Sequence, residues 1–382
     1  MQVFLSPASF TSHSRRIKMK ILILGYEHPR DDKRTLRSFE ALREIGEVFY
    51  QYISDAEERS SDDHLIPLQK PPKSYDPISW FLKWMIFDKK IERLIESLKP
   101  SLIYFHYLPI TGTKLFKIAK KCGAKVIFDI HEIIPDQFMK TYRLFDIIRP
   151  LFWRTFKEAL IISDGLIVVS KESVEYIFKK VGIRKDYFLL PNYAHLKIEP
   201  LYLKDRQKSL VIVGKVGRSL KDECRFLRFM KKKGFVIRMI GWENYSIDCV
   251  DIEKLPFLPY EKMMKEISKS MFSFVSFKSH PRKEDYSNDI YSLPNKLFDS
   301  VAAGTPVIGN SRFISVKNWI ERDKVGLVIS MKDDEKTWEK MIQDYISHYD
   351  ANIMLLKENQ DKYIWDEGKK KKYLEYINRV VG

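Results

Sequence analysis

The sequence predicts an α/β protein of two Rossmann-like, doubly wound domains facing across a cleft. Three observations carry that expectation. The chain of 382 residues, 45% of them hydrophobic, is too long for one ordinary core and fits two domains of common size. Short apolar runs rich in β-branched residues alternate with amphipathic stretches of helical length, the pattern of parallel sheets covered by helices on both faces. The alternation lapses once, in a polar stretch around Pro200, and then restarts.

Residues 1–18 lack a charged start followed by a long apolar run, so they do not read as a secretory signal and are expected to be a disordered extension. Met19 opens a run straight into a first strand and reads as a natural chain start. In the first domain, 19–195, strands are expected at 21–24, 47–52, 102–106, 125–129, 166–169 and 187–190. Helices are expected between them at 34–45, 91–97, 111–122, 151–162 and 173–181. The linker is placed at 196–208, within the polar stretch Tyr193 to Lys208. In the second domain, 209–355, strands are expected at 210–213, 236–240, 272–276 and 307–308, and helices at 222–233, 260–269, 295–303 and 338–349. Residues 356–382 are expected to form a helical segment packing back on the first domain, and the run Lys369 to Lys372 in it reads as a solvated helix face.

The three cysteines, Cys122, Cys224 and Cys249, follow no C-x-x-C spacing, so neither a zinc ribbon nor a disulfide framework is expected, and a reducing compartment fits. No apolar stretch approaches the ~20 residues of a membrane-spanning helix, and a cytoplasmic protein is expected. The net charge of +16 implies an anionic partner. Zinc-finger spacing, RNP aromatics and a helix-turn-helix pattern are missing, which argues against nucleic acid.

In doubly wound sheets, ligands bind beyond the carboxyl ends of the strands. Three loops at such ends draw notice. Gly25-Tyr26-Glu27-His28 follows the first strand, and Gly25 allows close backbone approach, but the spacing is not that of a dinucleotide-binding glycine motif. Asp129-Ile130-His131-Glu132 sets a histidine between two carboxylates, a candidate for substrate contact or proton handling. A lone histidine is more often structural, and no second histidine at i+4 makes a zincin helix.

The strongest signal runs from Ser292 to Ile308. It reads as a turn, an Asn295 cap, a short helix, a glycine stop and a buried strand. A helix N-terminus at a cleft offers amides and a positive dipole end to a diphosphate, and Lys296 adds a full charge there. Asp299, one turn along, would accept hydrogen bonds from ribose hydroxyls. A βα unit that merely packs well is the plainer alternative.

This segment resembles the retaining glycosyltransferases of the GT-B architecture, group 1 or family 4-like. Their "glutamate, small, x, alanine, x, glycine, x, proline, valine" signature is met by Asp299, Ala302, Gly304, Pro306 and Val307, with aspartate for the glutamate, and Pro294-Asn295-Lys296-Leu297-Phe298 before it is typical of many members. Val213-Gly214-Lys215, with Lys221 beyond, resembles the pair of cations that holds the donor diphosphate, although Lys215 replaces an arginine and loses its bidentate fork. His131 falls where the family's histidine contacts the donor sugar. Leu190-Pro191-Asn192 matches the segment closing the first domain, and the loop with Phe257 and Leu258 resembles the one receiving the nucleobase, with Gly25 a further donor-side candidate. One departure stands out. The family's other glutamate, eight positions before Asp299, corresponds to Tyr291, with Asp289 the nearest carboxylate.

The resemblance implies hexosyl transfer from a nucleotide-sugar with retention, the leaving diphosphate being stabilised by Lys215, Lys221, Lys296 and helix amides, with Asn295 at that end. His131 and Asp299 are the catalytic candidates. It implies no metal and no cofactor, the nucleotide-diphosphate sugar serving as donor substrate. A glycan or lipid-linked acceptor, as in polysaccharide biosynthesis, is the expected partner. Two segments mix aromatics with basic residues, Ser79 to Lys90 and Phe138 to Arg154. They suit an anionic membrane surface, which would place the protein peripherally on the inner face, and equally suit core helices with solvated lysines. Two alternatives share the architecture: a nucleotide-sugar epimerase, and a nucleotide-sugar-binding protein that is catalytically degenerate at Tyr291.

Overall fold

The structure, a computed structural model, describes residues 19–55, 60–74, 76–137, 144–214, 220–241, 249–277 and 286–382. Residues 1–18, expected to be a disordered extension, lie outside the described residues. The first sheet is built from β1 (Met19–Leu24), β2 (Gly46–Ser54), β3 (Leu65–Gln69), β4 (Leu102–Phe105), β5 (Lys125–Ile130), β6 (Gly165–Val168) and β7 (Tyr187–Leu189). Its order is β3-β2-β1-β4-β5-β6-β7, and every pairing is parallel. Helices α1 (Lys33–Leu42), α2 (Pro77–Leu98), α3 (Lys114–Lys121), α4 (Ile134–Gln137), α5 (Leu144–Ile162) and α6 (Lys171–Val181) make the crossovers. The central strands read as unbroken apolar runs because both faces are covered: all four residues of β4 are buried.

The second sheet comprises β8 (Gln207–Val213), β9 (Val236–Ile240), β10 (Glu253–Leu255), β11 (Ser270–Val275), β12 (Val307–Asn310) and β13 (Gly326–Ile329), in the parallel order β10-β9-β8-β11-β12-β13. Around it lie α7 (Cys224–Lys232), α8 (Tyr260–Lys269), α9 (Ser287–Ile290), α10 (Asn295–Ala302) and α11 (Ile314–Asp323), followed by α12 (Glu335–Ser347) and α13 (Tyr349–Asn359). Two Rossmann-like domains result, each with the strand order reversing beside its first strand.

The chain then returns. The last helix, α14 (Glu367–Val381), buries Tyr373, Tyr376 and Ile377 in one cluster with Ile21, Tyr104 and Ile167 of the first sheet. The Tyr376 hydroxyl donates to the Leu166 carbonyl at 3.0 Å and accepts from its amide at 2.9 Å.

Strands β3, β10 and β13 and helices α4, α9 and α11 depart from the sequence reading, and α2 is longer than expected. β3 and β10 are edge strands with no buried position: Pro67 interrupts the short apolar run of β3, and β10 is mostly charged. α11 and β13 fill a stretch whose pattern is short and half-polar. α2 starts at Pro77, well before 91: Asp76 accepts from the Ser79 amide at 2.7 Å and Pro77 takes the first helical position. The basic-aromatic segment from Ser79 to Lys90 is therefore helical, with Trp84 and Phe87 in the core.

The cysteine reading is corrected. Cys224 and Cys249 form a disulfide with Cα atoms 5.9 Å apart. Cys224 opens the helix after β8 and Cys249 follows β9, and those strands are neighbours. A local spacing rule does not see such a pair, and the cysteine count no longer argues for a reducing compartment. Among the described residues no helix is long and apolar enough to cross a membrane.

Candidate functional site

The carboxyl ends of the two sheets face each other across a cleft of about 390 Å³, lined from the first domain by Lys33, Arg34, His131 and Glu132 and from the second by Asp289, Pro294, Asn295, Lys296 and Asp299.

The first wall is organised by α1. Asp32 caps it, accepting from the Thr35 amide at 2.9 Å, and the next two residues are thrown to the strand ends. Arg34 reaches under the wall and forks onto Asp129 with bonds of 2.6 and 3.0 Å, its third nitrogen donating to the Leu190 carbonyl at 2.6 Å. Asp129 is wholly buried and also accepts from the Tyr104 hydroxyl at 2.9 Å. Burial alone would raise its pKa, but Arg34 and His131 together hold it well below the usual carboxylate range.

Above that pair sit two histidines. His131 lines the cleft, and its Nε2 lies 2.9 Å from Nδ1 of the buried His106 and 3.4 Å from Asp129. Burial pushes both imidazoles down, His106 far below its ordinary value, with Asp129 opposing the shift in each case. Burial therefore favours the neutral form of each. His106, Asp129 and His131 bring three ligand atoms within 4.8 Å of one another, a constellation that could hold a metal. The guanidinium of Arg34 already occupies both oxygens of Asp129, and a second positive charge would have to displace it.

The second wall is built on α10. The residue preceding the helix is Pro294, with extended dihedrals and no side-chain cap, so Asn295 stands at the first helical position instead of being the expected cap. A proline can neither donate nor accept through its side chain. Pro294 thus gives α10 no side-chain cap, and the N-terminus of the helix stands beside the cleft, a setting that suits an anion. Lys296 is 6% exposed and lies 4.2 Å from the centre of the Phe277 ring.

Asp299 is 7% exposed, and its Oδ1 accepts from Lys33 of the first domain at 2.8 Å and from the Tyr260 hydroxyl at 2.7 Å. Oδ2 takes no bond from the described residues, which leaves it for a ligand. Burial, and then the Asp299 charge, push the Tyr260 phenol up.

Other expected site residues fall elsewhere. Lys215 lies outside the described residues. Lys221 is an exposed residue of a short 3-10 turn and does not line the cleft. Phe257 is 76% exposed, while Leu258 packs beside Val211 and Met264. Gly25 is set by packing: a Cβ there would sit 2.8 Å from the Gln51 carbonyl oxygen and from the Tyr50 ring.

Tyr291 is a domain contact. Its ring stacks on Tyr176 at 4.8 Å, and its carbonyl accepts from Ser170 at 3.0 Å and Ser315 at 2.9 Å. Asn288 adds bonds to the Ile133 amide and carbonyl at 2.6 and 3.2 Å. Sequence reasoning missed Lys33, Arg34, His106 and Tyr260. Arg34 opens the helix expected at 34–45 and His106 ends the strand expected at 102–106, while Lys33 falls just before that helix.

Comparison with known proteins bears on this geometry. Residues 47–195 match the family model described as Glycosyltransferase Family 4. No curated protein matches the chain. Among solved structures, sucrose-phosphate synthase from Thermosynechococcus elongatus is similar over 95% of this chain and 99% of its own, at 15% identity and a TM-score of 0.69. A UDP-forming trehalose-phosphate synthase from Burkholderia xenovorans is similar over 96% and 100%, at 10% identity and a TM-score of 0.63. WaaG, a glycosyltransferase involved in lipopolysaccharide biosynthesis, is similar over 89% and 95%, at 10% identity and a TM-score of 0.60. These neighbours share the GT-B fold of two Rossmann-like domains, and residues 47–195 carry the likeness to Glycosyltransferase Family 4. At such identities the structural neighbours speak for the fold alone.

Proposed function

We propose that this chain transfers a hexosyl group from a nucleotide-sugar to a glycan or lipid-linked acceptor, with retention and without a metal. The observation that carries the reading is the meeting, along one cleft, of His131 with the N-terminus of α10, Lys296 and Asp299. The amides of α10 and the Lys296 charge suit a departing diphosphate, and fixed positive groups at developing charge are the main source of rate in such sites. Lys215, which follows β8 in the sequence, is the further cation of this reading; Lys221, off the cleft lining, contributes to it at most through its charge. Asp299 would bond a ribose hydroxyl through Oδ2 while Oδ1 stays with Lys33 and Tyr260. His131 would touch the donor sugar. A UDP-forming neighbour and one acting in lipopolysaccharide biosynthesis support the donor and acceptor classes.

Peripheral attachment to an anionic membrane belongs to the same proposal. On α2, Ile78, Phe81, Leu82, Met85 and Ile86 are exposed along one face with Lys83 and Lys89 beside them, and the chain's charge of +16 favours an anionic surface. A cytoplasmic enzyme at the inner face follows from that reading. In the second segment Trp153 is buried and Leu151 exposed, while Phe138 to Arg143 lie outside the described residues.

The test is nucleotide release from UDP-, GDP-, ADP- and TDP-sugars with EDTA present, followed by the anomeric configuration of the product. Release of one nucleotide, EDTA-resistant and with the donor's configuration kept, is expected. A strict metal requirement or inverted product would sink the mechanism. A second reading, binding without turnover, draws on Tyr291, whose stacking on Tyr176 keeps it from replacing a carboxylate. Its sign would be affinity with no release.

A further inference from the structure

We infer that His106 is a positioning residue that holds His131 as the Nδ1–H tautomer, its Nε2 lone pair engaged inside the wall, so that His131 meets a ligand as a hydrogen-bond donor and not as a base. His106 Nδ1 and His131 Nε2 are 2.9 Å apart, so one of them carries the proton between the rings. The other nitrogen of His106 decides which. Nε2 of His106 is buried and has no partner. Were the proton there, a buried N–H would be orphaned, whereas an unused lone pair on that nitrogen is the smaller loss. His106 is thus the Nδ1–H tautomer and donates to His131 Nε2.

Asp129 is the rival acceptor, 3.4 Å from His131 Nε2 and 3.5 Å from His106 Nδ1. Its oxygens already receive Arg34 twice and Tyr104 once, and both histidine contacts to it are longer than the 2.9 Å between the rings, so the ring-to-ring bond is the better placed of the two. His28 and Asp32 complete the surroundings. The His28 ring centre lies 5.2 Å from that of His131, and its Nδ1 lies 3.4 Å from Asp32. With Nε2 committed, the proton of neutral His131 resides on Nδ1. Toward a sugar hydroxyl that N–H donates, which orients the donor and leaves no basic nitrogen to activate water.

The role in sugar contact rests on the proposed function, but the tautomer does not, and the experiment separates them. The full chain, labelled with ¹⁵N-histidine and free of ligand, is examined at pH 7.5 by long-range ¹H–¹⁵N correlation, with His131 assigned by the signals lost in His131→Gln. The expected result is a protonated Nδ1 and an unprotonated Nε2 for His131. The reverse pattern overturns the inference, and because it is read on the unmodified chain it needs no variant to fold. His106→Leu should release His131 to a tautomer mixture, and His106→Asn, which keeps an N–H near the same place, should restore the native pattern. A native pattern in His106→Leu also overturns it. If transfer is found, His106→Leu should lose about tenfold in kcat/KM, one hydrogen bond's worth, with recovery in His106→Asn. If no donor is ever turned over, the proposed function fails while the tautomer result stands.

Discussion

Replacing Arg34 by methionine removes the cation beneath the histidine pair while keeping most of the side chain's length. Arg34 is 6% exposed and Asp129 wholly buried. The substitution breaks bonds of 2.6 and 3.0 Å to the carboxylate and one of 2.6 Å to the Leu190 carbonyl. It strands a buried charge, for which the usual cost is about 3–5 kcal/mol. That is a large share of a typical folding free energy of roughly 5–15 kcal/mol. A second consequence concerns proton affinity. Arg34 lowers the pKa of His131 while Asp129 raises it, so losing Arg34 should make His131 easier to protonate. Urea unfolding at pH 7.5 and again at pH 6 reads both effects: a loss of about 3–5 kcal/mol at the higher pH, and a smaller loss at pH 6, where an imidazolium can stand in for the guanidinium. Arg34→Lys should recover only part, since the fork is lost. A loss below about 1 kcal/mol, the worth of a solvated surface pair, would refute the claim that this pair is shielded from water.

Three further outcomes follow from the same structure. The depressed pKa values of His106 and His131 mean that the unfolded chain binds protons the folded one refuses, so their contribution is full above about pH 6.5 and falls as pH drops toward their folded values. Each should cost on the order of 1.4 kcal/mol per pH unit in that window, and a melting temperature flat from pH 7 to pH 5.5 would contradict it. Reducing the Cys224–Cys249 disulfide, which spans a separation of 25 residues, should lower stability by roughly 3 kcal/mol, checked by unfolding with and without a reductant. Leu82→Glu with Ile86→Glu should abolish co-sedimentation with anionic vesicles and leave melting unchanged, since both side chains are exposed; undiminished binding would move the membrane surface elsewhere.

The fold was legible because the strands of both sheet centres are covered on two faces and read as apolar runs, β1 and β5 most plainly. Where burial is partial the signal fades, and β3, β10 and β13 went unseen for that reason. The second wall of the site was legible as well, because α10 packs Asn295, Lys296 and Asp299 into a single turn and a half of contiguous sequence. The first wall was legible only in part, as the loop from Asp129 to Glu132. Arg34, His106, Asp129 and His131 come from α1, β4 and β5, and only the parallel order of those strands brings them together. Lys33 and Tyr260 reach Asp299 from different domains, a meeting that no spacing rule encodes. The disulfide escaped in the same way, through neighbouring strands and not through neighbouring residues.

Calorimetric titration of the purified chain with UDP, GDP, ADP and TDP, EDTA present and repeated on Asp299→Ala, tests the donor site most directly. One nucleotide should bind without metal and lose affinity by at least tenfold in the variant, the equivalent of about 1.4 kcal/mol for a charged hydrogen bond to ribose. Binding by none of them, or equal binding by the variant, would contradict a donor site at the N-terminus of α10.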